Sequence, residues 1–103
     1  MLIQIYAQDV ELPDPLRTFI EKKLTDTLAH VAERLTRVDV HLKDLNSQGK
    51  HGIDKRCTLE ARPRGMDPVA VEVDADTAKD AVHHAAEKLE RALQHRFDKR
   101  KTH

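Results

Sequence analysis

Three short segments of this chain alternate apolar and polar residues, and this pattern limits the folds available to it. Their apolar positions are Val38, Val40 and Leu42, then Cys57, Leu59 and Ala61, then Val69, Val71 and Val73. A period of two residues is typical of a β-strand that buries one face and exposes the other. Since polar stretches at 44–55 and 63–68 separate the segments, we expect a loop, a turn and an antiparallel meander of three strands.

An extended segment and a helix are predicted before the meander. The first seven residues are rich in β-prone side chains and favour a strand. Asp14 and Pro15 predict the start of a helix, with Asp14 as the capping residue and Pro15 in the first turn. The apolar stripe of this helix, about five turns long, consists of Leu16, Phe19, Ile20, Leu24, Leu28, Val31 and Leu35.

A second helix is predicted from Thr77 to about Lys101, with Asp76 or Thr77 as its cap. Its apolar face contains Ala78, Val82, Ala85, Leu89, Ala92, Leu93 and Phe97. The order is then β-α-β-β-β-α, with the first strand joined to the others across the first helix. Because each strand has one apolar side, both helices must pack on the same face of the sheet. We expect an α+β fold, a four-stranded sheet with two helices on one face, forming a single domain over residues 1–103.

The charge of the chain is zero overall but unevenly distributed. Residues 1–78 contain 11 Lys and Arg against 14 Asp and Glu, whereas residues 79–103 contain 7 against 4. Four of the seven histidines also lie in the second segment, and they gain positive charge below neutral pH. A polarised surface follows, which keeps a nucleic-acid partner open.

The second helix carries a row of basic side chains beside its apolar face. We call this row the basic stripe; its members are His84, Lys88, Arg91, His95 and Lys99. Such a helix can follow a row of phosphates, although a solvated helix with internal ion pairs has the same composition. If the two helices lie side by side, Lys22 and Lys23 extend the stripe.

Catalytic and metal-binding motifs find little support. The three glycines lie in predicted turns, the single serine lies in the 44–55 loop, and Cys57 points to the core. Adjacent residues such as His83 and His84 diverge by about 100° on a helix, so we expect them not to share a metal. We expect no enzyme, no cofactor and no dedicated metal site.

The remaining composition bears on compartment and partner. One cysteine fits a reducing compartment, and neither a leader sequence nor a membrane-spanning run is evident, so we expect a cytoplasmic protein. With both phenylalanines on buried stripes, only Tyr6 is left for stacking on bases. An RNA partner would therefore be recognised by its backbone charge and shape, which suits a structured, double-stranded or ribosomal RNA surface better than a single strand.

An ordered set of motifs over nearly the whole chain resembles the ribosome hibernation promoting factor family, which includes the ribosome-associated inhibitor. The motifs are Ile3-Gln-Ile-Tyr6, Val10-Glu-Leu12, Leu16-Arg17-x-Phe19-Ile20, Lys22-Lys23-Leu24, Val38-Asp-Val-His-Leu-Lys43, Ala81-Val82, Glu87-Lys88-Leu89-x-Arg91-x-Leu93 and a basic terminus from Arg96 to Lys101. The resemblance implies a β-α-β-β-β-α domain that binds the small (30S) ribosomal subunit in the channel of messenger and transfer RNA. It also implies silencing of ribosomes in stationary phase or under stress, by a short member without the extra domain that pairs ribosomes.

Carried over to this sequence, the resemblance implies contacts with 16S ribosomal RNA. The predicted RNA-binding residues are Lys22, Lys23, His84, Lys88, Arg91, His95, Arg96, Lys99, Arg100 and Lys101. His84 and His95 are included as members of the basic stripe, and the resemblance implies the other eight. We expect no DNA, membrane or small-molecule partner, and a monomer off the ribosome. The alternative is a non-ribosomal protein-interaction module on the same fold, which would use the mixed charges of the open sheet face, Asp39, Glu60, Arg62 and Glu72.

Overall fold

The computed structural model describes residues 1–45 and 54–101, and it has the predicted element order. The elements are β1 (Leu2–Gln8), α1 (Asp14–Thr27), a 3-10 helix (Ala29–Arg34), β2 (Leu35–Asp44), β3 (Lys55–Pro63), β4 (Val69–Ala75) and α2 (Ala78–Lys101). The predicted 44–55 loop lies largely outside the described residues. Within the described ranges, neither helix combines the length and the apolar character needed to cross a membrane.

The four strands form one sheet in the order β1-β2-β3-β4. β1 pairs with β2 in parallel, because α1 returns the chain to the end of the sheet at which β1 begins. In this pairing Ile3 lies beside Val38. β2, β3 and β4 pair antiparallel, with Val40 beside Leu59 and Leu59 beside Val71. This register places the alternating apolar residues of all strands on one face and confirms the predicted meander.

Both helices pack on that apolar face. The largest fully buried side chains belong to the helices, the 3-10 connection and the inner strands: Phe97, Ile20, Leu24, Leu28, Leu35, Leu42, Leu59, Leu89, Leu93, Val38, Val40 and Val82. They form one cluster with Cys57 and with Ala81, Ala85 and Ala86 of α2, and Ile3, Ile5, Leu16 and Phe19 pack partly buried against it. The predicted α+β architecture is therefore correct, and the outer faces of both helices are left to solvent.

The start and end of the first helix differ from the prediction. α1 begins at Asp14, so Pro13 occupies the capping position and no side chain caps the helix; Asp14 as the cap was wrong. The α-helix ends near Leu28, and Val31 donates its N–H to the Leu28 carbonyl at 3.0 Å in the 3-10 helix that follows. The tighter helix lets the chain turn into β2, and it still buries Val31.

Asp39 also departs from expectation. It projects from the open face of the sheet as predicted, yet it is only 6 % exposed. Its carboxylate lies 3.0 Å from Nε of Arg37 and 4.0 Å from Nε of Arg62, which belongs to the neighbouring strand. Because the two arginine side chains cover it, a residue on the solvent side of the strand is nevertheless buried.

Candidate nucleic-acid interface

α2 presents the basic stripe to solvent. The helix is capped by Thr77, whose Oγ1 accepts the N–H of Asp80 at 3.0 Å, which confirms one of the two predicted caps. From this start, the buried residues Val82, Leu89 and Leu93 face the sheet. All five members of the basic stripe are exposed on the other side of the helix.

On the flank of α2 that lies along β4, two basic side chains donate hydrogen bonds to backbone carbonyls. Lys88 donates from Nζ to the backbone carbonyl of Glu72 at 3.2 Å. Arg96, which is half-buried, donates from Nη1 to the carbonyl of Asp67 at 3.0 Å, in the turn between β3 and β4. Because a carbonyl carries no formal charge, both contacts position the cation and leave its positive charge available to an anion.

The opposite flank of α2, which faces α1, is acidic. Nζ of Lys23 lies 3.7 Å from Oε2 of Glu87, and Nε2 of His30 lies 3.5 Å from Oε2 of Glu90. Lys22 pairs with Asp26 at 2.9 Å within α1. The helices are neighbours, as the sequence suggested, but these acids separate Lys22 and Lys23 from the basic stripe.

The predicted site residues therefore fall into three groups. Five form the basic stripe, and Arg96 lies beside it on the β4 flank. Lys22 and Lys23 lie on α1, each in an ion pair. Arg100 and Lys101 belong to the last turn of α2, but their side chains lie outside the described part of the structure. A role in RNA binding stays a prediction for all ten.

Three metal-binding side chains meet near the first turns of α2, and we call them the His-His-Glu cluster. The ligand atoms of His83, His84 and Glu87 all lie within 4.8 Å of one another. The two imidazoles therefore lie closer together than the divergence of about 100° between their backbone positions suggested, while the expectation that they do not share a metal stays a prediction. Their imidazole rings lie edge to face with centroids 5.1 Å apart, and rotation about the side-chain bonds offsets the divergence of the backbone positions.

The open face of the sheet balances its own charges. Arg56 donates from Nε and Nη2 to the two carboxylate oxygens of Asp74 at 2.8 and 3.1 Å, and this hydrogen bonding raises the pKa of the guanidinium. Arg62 donates to Glu60 at 2.8 Å. Phosphate binding on this face would compete with carboxylates already in place.

The remaining predictions concern Cys57 and Tyr6. Cys57 is fully buried, and desolvation raises the pKa of its thiol to about 12, which excludes the thiolate at neutral pH. Tyr6 is 47 % exposed, as expected, but its ring stacks on His41 with 4.8 Å between centroids.

Sequence reasoning missed the part played by Glu87. This residue contacts Lys23 across the helix interface and His83 one turn earlier, with 3.5 Å between its Oε2 and Nε2 of the histidine. The spacing of four residues between His83 and Glu87 was available in the sequence. The carbonyl partners of Lys88 and Arg96 had no such signal, because backbone acceptors depend on tertiary packing.

Comparison with known proteins agrees with this architecture. The model of the family described as sigma 54 modulation protein / S30EA ribosomal protein matches residues 3–101. The crystal structure of the Thermus thermophilus Protein Y N-terminal domain is similar, with a TM-score of 0.70 and 25 % identity over 88 % of this chain and 93 % of that one.

A ribosomal subunit interface protein from Coxiella burnetii has the same fold, with a TM-score of 0.74 and 19 % identity over 93 % of this chain and 98 % of that one. Among curated proteins, no sequence matches. The family match covers nearly the whole chain and agrees with the resemblance seen in its motifs. The chain belongs to the family of sigma 54 modulation proteins and S30EA ribosomal proteins.

Proposed function

We propose that this protein binds the small ribosomal subunit through α2 and silences translation by occluding the channel of messenger and transfer RNA. Membership of a ribosome-associated family supports a ribosomal partner. The observation that carries the proposal is the exposed basic stripe, in which Lys88 is held by a neutral carbonyl. A helix of this kind can place several cations along a ribosomal RNA backbone.

Recognition by charge and shape suits the aromatic content of the chain. Phe97 is buried and Phe19 is partly buried against the core, so neither is free to stack on a base. Tyr6 is engaged with His41 on the far side of the sheet from α2. Contacts from Lys88, Arg91 and their neighbours to phosphates of 16S ribosomal RNA require no unstacked base.

The proposed action is steric and makes or breaks no covalent bond. A domain seated in the channel excludes transfer RNA and messenger by volume, and its release restores the ribosome. The protein acts in this scheme as a non-enzymatic factor, without a cofactor, in the cytoplasm where ribosomes translate. The basic helix supplies affinity, and the rest of the fold supplies the bulk.

Co-sedimentation with purified small subunits tests the proposal. We expect wild-type protein to sediment with the subunit at low salt and to be released at moderate salt. Lys88→Glu/Arg91→Glu should abolish binding, because it reverses two exposed charges of the basic stripe. The matched control is Arg17→Glu/Lys43→Glu, which changes net charge equally at two exposed positions outside the stripe and should retain binding.

Two results would contradict the proposal. Wild-type protein that stays at the top of the gradient at low salt would exclude a ribosomal partner and favour the protein-interaction alternative. Equal loss of binding in both double variants would mean that net charge, and not the α2 surface, governs the interaction. Occlusion is tested separately, since bound protein should compete with transfer RNA for the subunit.

A further inference from the structure

The His-His-Glu cluster brings together three groups that ligate transition metals. His84 is exposed, and the side chains of His83 and Glu87 are 44 % and 42 % exposed, so an ion can enter from solvent. Their ligand atoms, all within 4.8 Å of one another, surround a space in which one ion can contact each of them at about 2.0–2.2 Å after small side-chain rotations.

Helical spacing explains why the three side chains converge. Glu87 follows His83 by four residues and His84 by three, which places it about 40° from one and about 60° from the other around the helix axis. The carboxylate therefore lies between the two imidazoles, one turn further along. His83 and Glu87 already approach to 3.5 Å, so part of the arrangement exists before any ion binds.

We propose that His83, His84 and Glu87 form a binding site for one divalent transition-metal ion of the zinc class. Two imidazole nitrogens and one carboxylate suit zinc and its neighbours in the first transition series, and a water molecule completes a tetrahedral shell. Magnesium and calcium prefer shells of oxygen ligands, so this donor set selects against them.

Metal binding at the cluster has a consequence for the neighbouring surface, and this consequence rests on the proposed function. Glu87 also contacts Lys23, at 3.7 Å. An ion that takes the carboxylate releases Lys23 and adds two positive charges one turn before Lys88. We therefore expect zinc to strengthen binding to ribosomal RNA.

Competition with a chromophoric zinc chelator measures the site directly, on the full chain and without ribosomes. We expect one zinc ion per wild-type chain and at least a tenfold loss of affinity in His84→Ala and in Glu87→Gln. His95→Ala is the matched control, since His95 is an exposed histidine of the same helix outside the cluster, and it should bind as wild type does. In NMR spectra, one equivalent of zinc should shift the imidazole signals of His83 and His84.

Zinc affinity that is unchanged in both cluster variants, or reduced equally by His95→Ala, would overturn the site and indicate adventitious binding by scattered histidines. Sedimentation with small subunits, with and without zinc, separates the two proposals. Zinc binding without any ribosome binding overturns the proposed function and leaves the metal site standing. Ribosome binding without zinc binding overturns the metal site and leaves the proposed function standing.

Discussion

Lys23 of α1 and Glu87 of α2 face each other across the interface between the helices, with 3.7 Å between Nζ and Oε2. This pair joins a lysine that the family resemblance assigns to RNA contact with an acid that follows the family motif. The lysine side chain is 20 % exposed, so it lies partly sheltered beside the carboxylate. In the free protein, Glu87 therefore lowers the positive potential that Lys23 offers to a phosphate.

Removing the charge of Glu87 should tighten binding to the small subunit. We expect Glu87→Gln, measured without added zinc, to raise affinity about two- to fivefold, which corresponds to the roughly 0.4–1 kcal/mol range of a partly exposed ion pair. Filter binding at low salt measures the change. Glu11→Gln, an exposed acid outside both helices, should leave affinity unchanged, and weaker binding by Glu87→Gln would show that the pair positions Lys23 for its contact.

Salt should weaken the interaction steeply. If five to six phosphates are neutralised by the cations of α2, log affinity falls with log salt at a slope of roughly −4 to −5. Lys88→Glu/Arg91→Glu removes two of these contacts, so any residual binding should have a slope less negative by about 2. Titrations between about 50 and 200 mM salt give both slopes.

The same double variant should fold normally. Lys88 and Arg91 are exposed, so we expect urea unfolding to give a free energy within about 1 kcal/mol of wild type. An unfolded variant would mean that these side chains are needed in the interior. A salt dependence of log affinity with the same slope as wild type would mean that they do not contact the RNA.

The fold was predictable from the sequence because its determinants are local. Alternation at Val38, Val40 and Leu42 fixes which side of β2 is buried, and it needs no knowledge of the partner strands. The cap at Thr77 and the exposure of the basic stripe follow in the same way from helical periodicity. These features survive in the structure with boundaries shifted by a few residues.

The features that sequence reasoning missed depend on where neighbouring elements come to lie. Asp39 is buried by Arg37 and by Arg62, and the contact with Arg62 exists only in the observed register of β2 and β3. The pairing of Lys23 with Glu87 depends on the position of α1 along the axis of α2. Convergence of His83 with its neighbour depends on side-chain rotation, which a backbone angle does not determine.

Arg34 lies over Phe97, and this contact should contribute to stability. The guanidinium carbon is 3.7 Å from the ring centroid, while the ring itself is only 2 % exposed. We expect Arg34→Met, which keeps the aliphatic stem, to cost about 0.5–1 kcal/mol in urea unfolding. In a Phe97→Leu background, which has an apolar side chain but no ring, the same change should cost close to nothing. An equal cost in both backgrounds would mean that the cation and the ring are not coupled.

Cys57 should make stability depend on alkaline pH. The folded protein raises the pKa of its thiol from 9.0 to about 12 by burial, whereas the unfolded chain ionises near the ordinary value. Below pH 9 both states hold the proton and stability is unaffected. Between pH 9 and about 12 only the unfolded state loses it, so the free energy of unfolding falls as pH rises.

A comparison with Cys57→Ala isolates this effect, since the two proteins share every other titratable group. The smaller side chain should cost stability by a constant amount below pH 9, through lost packing. Above pH 9 the difference in the free energy of unfolding between wild type and Cys57→Ala should decrease, by at most about 1.4 kcal/mol per pH unit. Urea unfolding at pH 8, 9 and 10 measures the difference, and a constant gap across that range would mean that the folded thiol ionises as freely as the unfolded one. A thiol reagent should also react slowly with Cys57 in the folded protein at pH 8 and rapidly in urea. The same burial that suppresses the thiolate keeps the reagent away from the sulfur.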